Sequence, residues 1–143
     1  MTVKKILSRK GSDVVTIAPT ATLSDVVKLL AARRIGAVVV TGAEDRVAGI
    51  LSERDIVRVM SERGAAALED NVAAVMTRKV TTCTEADTIA TIMERMTAGK
   101  FRHLPVVKES RLVGVISIGD VVKSRLEEIE GETNALREYI ATA

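Results

Sequence analysis

The sequence predicts an α+β fold in which a β-α-β-β-α unit occurs twice, with the two copies packed on a pseudo-twofold axis and a helical extension at the C-terminus. The first observation is an internal repeat, because residues 47–58 align with residues 112–123 at a constant offset of 65. The second is apolar spacing typical of amphipathic helices, and the third is runs of β-branched residues typical of strands. A repeat of this length indicates a duplicated domain, since the common solenoid repeats are shorter.

Each copy is expected to begin with a short strand, at residues 14–17 and 80–83, followed by a helix. The helices are predicted from apolar residues at i, i+3, i+4 and i+7, which are Leu23, Val26, Val27 and Leu30 in the first copy and Ile89, Ile92, Met93 and Met96 in the second. Thr22 and Asp87 are the predicted N-caps of these helices.

Two strands and a helix complete each copy. The strands are predicted at 36–41 and 46–51 in the first copy, and at 103–107 and 111–116 in the second. A turn separates the strands of each pair, and the second strand runs into a helix that starts at Ser52 or Ser117. The predicted boundary between the copies divides the chain into residues 1–66 and residues 67–143.

Two further helical segments are expected. Residues 3–10 recur as residues 72–79, and the connecting segment 68–76 is predicted to be helical. The last helix is expected to run to about Ile140, with Gly131 as a point of interruption. Its apolar stripe is Val122, Leu126, Ile129, Leu136 and Ile140, which indicates a packing surface either for a second copy of the chain or for the same domain.

Composition argues against several classes of function. The 143 residues carry a net charge of +2 with the two signs mixed, which gives little support to nucleic-acid or membrane binding through a basic surface. Phe101 and Tyr139 are too few aromatic residues to stack successive bases. One cysteine, Cys83, and one histidine, His103, argue against a disulfide framework and against a Cys/His zinc site. We therefore expect no metal, and the absence of an export signal or spanning segment predicts a cytoplasmic protein.

The strongest motif is Gly-x-x-Ser-x-x-Asp, which occurs at Gly49, Ser52 and Asp55 and again at Gly114, Ser117 and Asp120. A serine at a helix start with an acidic residue three positions later is typical of a capping box. The same helix N-terminus can bind a phosphate, and the carboxylate can bind a ribose diol. The two roles are compatible, and the motif alone leaves both open.

These features together resemble a tandem pair of cystathionine-β-synthase (CBS) domains, also called a Bateman module. The resemblance covers residues 3 to about 123 and rests on the duplicated unit, its Ser-x-x-Asp motif, and the segment 102–107 of the second copy. Because no catalytic domain is attached, the sequence is similar to the stand-alone bacterial CBS-pair proteins. The resemblance implies a sensor that binds AMP, ADP, ATP, NAD(H) or S-adenosylmethionine in up to two clefts between the copies, with the motif Asp on the ribose.

The family pattern also implies which residues bind the ligand. One cleft would use Thr16, Ile17, Gly36 and Ala37 together with Ser117, Gly119 and Asp120. The other would use Thr81, Lys100, Phe101 and Arg102 together with Ser52, Arg54 and Asp55. The resemblance places His103 near the middle, where it could face the phosphate of either cleft, and Pro105 of the same segment is included among the ligand-binding residues. Because cations gather only around the Ser52 cleft, apart from His103, that cleft is expected to prefer ligands with two or more phosphates.

The predicted function is therefore that of a regulatory adenine-nucleotide sensor and not of an enzyme, acting by conformational change on a downstream protein that the sequence does not identify. A homodimer is expected, as in the family, where two pairs commonly form a flat disc. The alternatives are a nucleotide hydrolase using Asp55 or Asp120, an S-adenosylmethionine-binding regulator, and a transcriptional regulator, for which no basic recognition helix is evident.

Overall fold

The computed structural model describes residues 1–11 and 14–142 and confirms the α+β fold of two tandem units with a C-terminal helix. The chain begins with helix α1 (Val3–Lys10). The first unit then contains β1 (Thr16–Ile17), α2 (Leu23–Arg33), β2 (Ala37–Thr41), β3 (Val47–Ser52) and α3 (Glu53–Arg63). Its three strands form one sheet in the order β1-β2-β3, with β1 parallel and β3 antiparallel to β2.

The second unit repeats this order with one strand missing. A 3-10 segment (Gly64–Glu69) and α4 (Val72–Val75) connect the units, and α5 (Ile89–Gly99), β4 (His103–Lys108), β5 (Arg111–Ser117) and α6 (Ile118–Thr142) follow. The β4–β5 hairpin closes through Glu109 and Ser110, whose φ angles of 52° and 66° fit a two-residue turn that matches strand twist. The predicted boundary at residues 66 and 67 falls within the 3-10 segment and stays a prediction.

Three details of the sequence prediction are wrong. The expected strand at 80–83 is reduced to a single bridge between Cys83 and Val106, in which the Cys83 N–H donates to the carbonyl of Pro105 at 3.0 Å. The connecting segment is a 3-10 turn and a short helix where one helix was expected. Finally, α6 reaches Ile140 as expected and ends at Thr142, but it is not interrupted at Gly131, because the cost of one glycine, about 1 kcal/mol, does not break a helix flanked by good helix formers.

The N-cap of α5 also differs from the prediction, while that of α2 is confirmed. Thr22 caps α2 in a capping box with Asp25. For α5 the cap is Thr88, whose hydroxyl accepts the Thr91 N–H at 3.2 Å. Asp87 instead accepts the Thr84 N–H at 2.8 Å and pairs with Arg95, and these contacts hold its pKa below the ordinary value. Its carboxylate stabilises the turn before the helix.

Each unit packs against the helix that precedes the other unit. The first core combines α2, α3 and the sheet with Val72 and Met76 of the α4 segment. The second core combines α5, β4, β5 and Val121 with Val3, Ile6 and Leu7 of α1. Each of these helices is held to the other unit by an equivalent isolated β-bridge, Asn71 with Thr22 in the first unit and Thr2 with Thr88 in the second. The N-terminal helix is therefore part of the second unit's core.

The glycine of each repeated motif allows this exchanged segment to approach. A Cβ at Gly49 would lie 2.8 Å from Met76 Cγ and 2.9 Å from the backbone carbonyl of Thr77, whereas the nearest atoms to a Cβ at Gly114 all belong to the Leu7 side chain. A side chain can move, but the Thr77 backbone is hydrogen-bonded to Ile50. We expect Gly49→Ala to lower the free energy of unfolding by about 1–3 kcal/mol, and Gly114→Ala by less, in urea titrations. Equal losses would contradict this assignment.

No helix in the described ranges is both long enough and apolar enough to cross a membrane.

Candidate functional site

A cleft of about 680 Å³ lies between the two units, within the size range of small-molecule sites. It brings together all seven residues that were predicted for the Ser52 cleft, namely Ser52, Arg54, Asp55, Thr81, Lys100, Phe101 and Arg102. The first three come from the start of α3, and the last three follow α5, so both units contribute to its walls. Gly36, Ala37 and His103 line the same cleft.

Ser52 and Asp55 form a reciprocal capping box where β3 runs into α3. The Asp55 carboxylate oxygen Oδ2 accepts the Ser52 N–H at 2.9 Å and the Ser52 hydroxyl at 3.1 Å. Its other oxygen, Oδ1, lies 3.3 Å from Arg58. Asp55 is only 9% exposed although it lines the cleft. The capping interpretation is thus confirmed, and the same contacts hold an oriented carboxylate at the wall of the cleft.

The cleft is rich in positive charge. Five basic side chains line it, Arg54, Arg58, Lys79, Lys100 and Arg102, against the two carboxylates of Glu53 and Asp55. Arg58 and Lys79 were not predicted from the sequence. Lys79 ends the segment 72–79 that repeats 3–10, and this recurrence is the signal that could have identified it. The arrangement favours an anionic ligand, because guanidinium and ammonium groups form charge-assisted hydrogen bonds with phosphate oxygens.

Phe101 supplies an apolar wall. A Cβ at Gly99 would overlap the Phe101 ring, so the ring lies directly against the backbone at the end of α5. Between them, Lys100 ends the helix in the left-handed region with φ of 56°. The half-buried ring also packs against the second core. An aromatic face beside several cations suits a ligand that joins a flat ring to an anionic group.

The structure places Gly36 and Ala37 in the Ser52 cleft, which differs from their expected place beside Ser117. Ala37 pairs with Ser52 across the β2–β3 ladder, and the Glu53 N–H donates to the Gly36 carbonyl at 2.9 Å. These backbone bonds hold both residues next to the start of α3. Gly36 lies close to His103, since a Cβ there would be 3.5 Å from the His103 ring.

The second motif is built in the same way, but a lysine already contacts its carboxylate. The Ser117 N–H donates to Asp120 Oδ2 at 2.9 Å, and the Asp120 N–H donates to the Ser117 hydroxyl at 3.2 Å. Lys10 Nζ lies 2.7 Å from the same Oδ2. The expectation that this cleft has no cation apart from His103 is therefore wrong, because α1 packs on the second unit.

The remaining predicted residues lie apart from the Ser52 cleft. Thr16 and Ile17 form the edge strand β1, and Ile17 packs against the first core. Pro105 is buried within β4. Gly119 is exposed beside Ser117, and a Cβ at this glycine would lie 3.6 Å from the Ser117 hydroxyl. Their roles as ligand contacts stay predictions.

His103 and Cys83 differ in their surroundings. Burial lowers the pKa of His103, with Glu53 acting in the opposite direction, so a neutral imidazole is favoured at neutral pH. Burial raises the pKa of Cys83 to about 12, which agrees with a packed thiol and not a nucleophile. Among the residues that the structure describes, no group of three or more His, Cys, Asp or Glu is placed to hold a metal ion.

Comparison with known proteins agrees with this architecture. The family model described as "CBS domain" matches residues 3–62 and again residues 72–127. The CBS-domain containing protein ATU1752 from Agrobacterium tumefaciens has a solved structure that is 48% identical, with a TM-score of 0.84, and the match covers 87% of this chain and 99% of that one.

Two further relatives are a longer protein and a structure with a bound ligand. The mitochondrial CBS domain-containing protein CBSX3 from Arabidopsis thaliana is 35% identical over 83% of this chain, and the match spans 60% of that protein's length. The CBS domain protein PAE2072 from Pyrobaculum aerophilum, complexed with AMP, is 29% identical with a TM-score of 0.75, covering 84% of this chain and 89% of that one. With two matches that together span most of its length, the chain belongs to the CBS domain family and consists of a tandem pair of CBS repeats.

Proposed function

We propose that the protein is a regulatory sensor that binds adenine nucleotides in the Ser52 cleft and signals through a conformational change. The observation that carries the proposal is the combination, in one cleft, of a helix N-terminus, a buried carboxylate and five basic side chains. The Asp55 carboxylate suits a ribose diol, the helix start and the cations suit phosphates, and Phe101 suits the base. The AMP complex of the Pyrobaculum relative supports the same class of ligand.

The positive charge of the cleft ranks the candidate ligands by their expected affinity. AMP, ADP, ATP and NAD(H) all carry phosphate, so five cations against two carboxylates favour them. S-adenosylmethionine carries a cationic sulfonium and no phosphate, so it would add positive charge to an already basic cleft. We therefore place nucleotides ahead of the S-adenosylmethionine alternative, and we expect affinities in the micromolar range.

Thermal melting in the presence of millimolar AMP, ADP, ATP, NAD or S-adenosylmethionine tests the proposal. Binding to the folded state alone raises the melting temperature by mass action, so at least the phosphate-bearing ligands are expected to shift it. A melting temperature that none of the five changes would contradict the proposal. Chromatography of the same samples tests the hydrolase alternative, because turnover of ATP or ADP to product would favour an enzyme.

We also propose that the protein forms a homodimer through the apolar stripe of α6. Leu126, Ile129, Leu136 and Ile140 are 44–65% exposed along this continuous helix. A second groove, between α2 and α3, is lined in part by Val57, which is 68% exposed. Exposed apolar residues in such numbers are typical of an interaction surface. The cytoplasmic location and the downstream partner stay predictions.

Sedimentation at tens of micromolar tests the dimer. We expect a mass about twice the 15.3 kDa of the chain. Leu136→Glu is expected to produce the monomer, because it buries a charge in the contact, whereas Val57→Glu on the other groove leaves the dimer intact. A monomeric parent protein would contradict the dimer, and dissociation by Val57→Glu alone would assign the contact to α2 and α3.

A further inference from the structure

We propose that Lys10 occupies the ligand position of the Ser117–Asp120 site, so that the free protein offers one open nucleotide site and keeps the other closed with its own chain. This inference rests on the proposed function, because it takes the Asp of each motif to be a ligand-binding group. It makes Lys10 a residue that determines which of the two repeated sites is available.

The Lys10 ammonium has two partners in the second unit. It lies 2.7 Å from Asp120 Oδ2 and 2.9 Å from the carbonyl oxygen of Val115. Asp120 Oδ2 also accepts the Ser117 N–H, so the lysine takes the remaining hydrogen-bonding capacity of the oxygen that faces it. A ribose hydroxyl that approached this oxygen would have to displace the ammonium.

In the first unit the motif carboxylate contacts a cation of its own helix, Arg58 at 3.3 Å from Asp55 Oδ1, and not a lysine of the exchanged segment. Ile50 corresponds to Val115 at the repeat offset, and its carbonyl accepts the backbone N–H of Thr77 at 2.9 Å. Helix α4 ends at Val75, so the chain unwinds early enough for Thr77 to pair with β3. Helix α1 instead continues to Lys10. The Lys10 ammonium donates to the Val115 carbonyl, whereas in the first unit a backbone N–H donates to the corresponding carbonyl of Ile50. Lys79, the repeat counterpart of Lys10, lines the open cleft.

Helix α1 is fixed to the second unit, which holds the lysine at its partner. Val3, Ile6 and Leu7 are buried in the second core. The N-terminal ammonium lies 2.8 Å from Glu128, and Arg9 pairs with Glu127, both on α6. A tethered cation at this distance competes at high effective concentration with a free ligand.

The charge state of Asp120 agrees with this arrangement. Burial raises the pKa of its carboxyl, but the contacts with Lys10 and Ser117 outweigh burial, and the net pKa is lowered. The carboxylate is therefore ionised at neutral pH and attracts the ammonium.

Calorimetric titration with AMP tests the inference. We expect the parent protein to bind one AMP per chain and Lys10→Met to bind two, because methionine keeps the aliphatic stem and removes the ammonium. Lys5→Met removes the same charge from the same helix at an exposed position and is expected to keep one AMP per chain. Adding Asp120→Asn to Lys10→Met is expected to weaken binding of the second AMP by about tenfold to a hundredfold. Lys10→Gln serves as a second variant should Lys10→Met unfold.

The outcomes separate this inference from the proposed function. One AMP per chain in the parent and in both folded Lys10 variants would overturn the inference and leave the proposed function standing, as would two AMP per chain in the parent. An absence of AMP binding in the parent and in the Lys10 variants would overturn both. A second AMP that also appears in Lys5→Met would show that net charge, and not the Lys10 contact, closes the site, and would overturn the inference.

Discussion

Asp55→Asn is expected to weaken AMP binding by about tenfold to a hundredfold, the loss that follows when hydrogen bonds to a charged group worth about 1.5–3 kcal/mol are weakened. The Asp55 carboxylate lines the cleft and is oriented by Ser52 and Arg58, so its geometry is set before a ligand binds. Asparagine keeps the size of the side chain and one acceptor oxygen but removes the charge. Calorimetric titration of the parent and the variant with AMP measures the change.

The matched control is Asp25→Asn on α2. Asp25 holds the same position in a capping box, with its Oδ2 accepting the Thr22 N–H at 3.0 Å, but it is not among the residues lining the cleft. Both substitutions weaken a capping box, so both are expected to lower the melting temperature. Only Asp55→Asn is expected to weaken AMP binding. If the two variants bind AMP like the parent, the carboxylate of the motif acts as a helix cap and nothing more.

The repeat made much of the fold predictable. Because Ser52 and Ser117 stand in the same Gly-x-x-Ser-x-x-Asp motif, the sequence indicated two equivalent strand-to-helix junctions, and both have reciprocal caps. Errors occurred where one copy departs from the other. The strand expected at 80–83 pairs only through Cys83, and no local pattern distinguishes it from residues 14–17, because strand pairing depends on tertiary contacts.

The residues of the Ser52 cleft were predictable, whereas the contact of Lys10 with the Ser117–Asp120 motif was not. All seven residues that the family resemblance implied around Ser52 line one cleft. The contact of Lys10 with Asp120 joins residues more than 100 positions apart and depends on α1 packing against the second unit. Residues 3–10 and 72–79 look alike in sequence, yet one helix reaches its final lysine and the other ends at Val75. The second segment leaves its helix where the Thr77 backbone pairs with Ile50, a tertiary contact that the local sequence does not reveal.

The charge around Ser52 leads to the second large effect, a preference for ligands with more than one phosphate. Arg54 lies in the first turn of α3, and Arg102 follows α5 on the opposite wall, so the two approach a ligand from different units. Among the described ion pairs, the one that joins two cleft-lining residues is Arg58 with Asp55. Neither Arg54 nor Arg102 takes part in a described ion pair. An ion pair with Glu53 or Glu109 would neutralise either arginine, and the described ion pairs include none of this kind.

Arg54→Ala and Arg102→Ala are each expected to weaken ADP binding by about threefold to tenfold and AMP binding by less. This loss of affinity is smaller than the one expected for Asp55→Asn, because both arginine side chains are exposed and solvent screens an exposed charge pair. The β-phosphate of ADP would lie further along the cleft than the single phosphate of AMP. Binding of ADP is therefore expected to depend on more of the basic side chains. Arg33→Ala, an exposed arginine in the last turn of α2, is the control for loss of charge and should leave the ratio of ADP to AMP affinity unchanged. Titrations with both nucleotides at two salt concentrations give that ratio directly. If ADP and AMP lose affinity equally in Arg54→Ala and Arg102→Ala, these arginines do not select for a second phosphate.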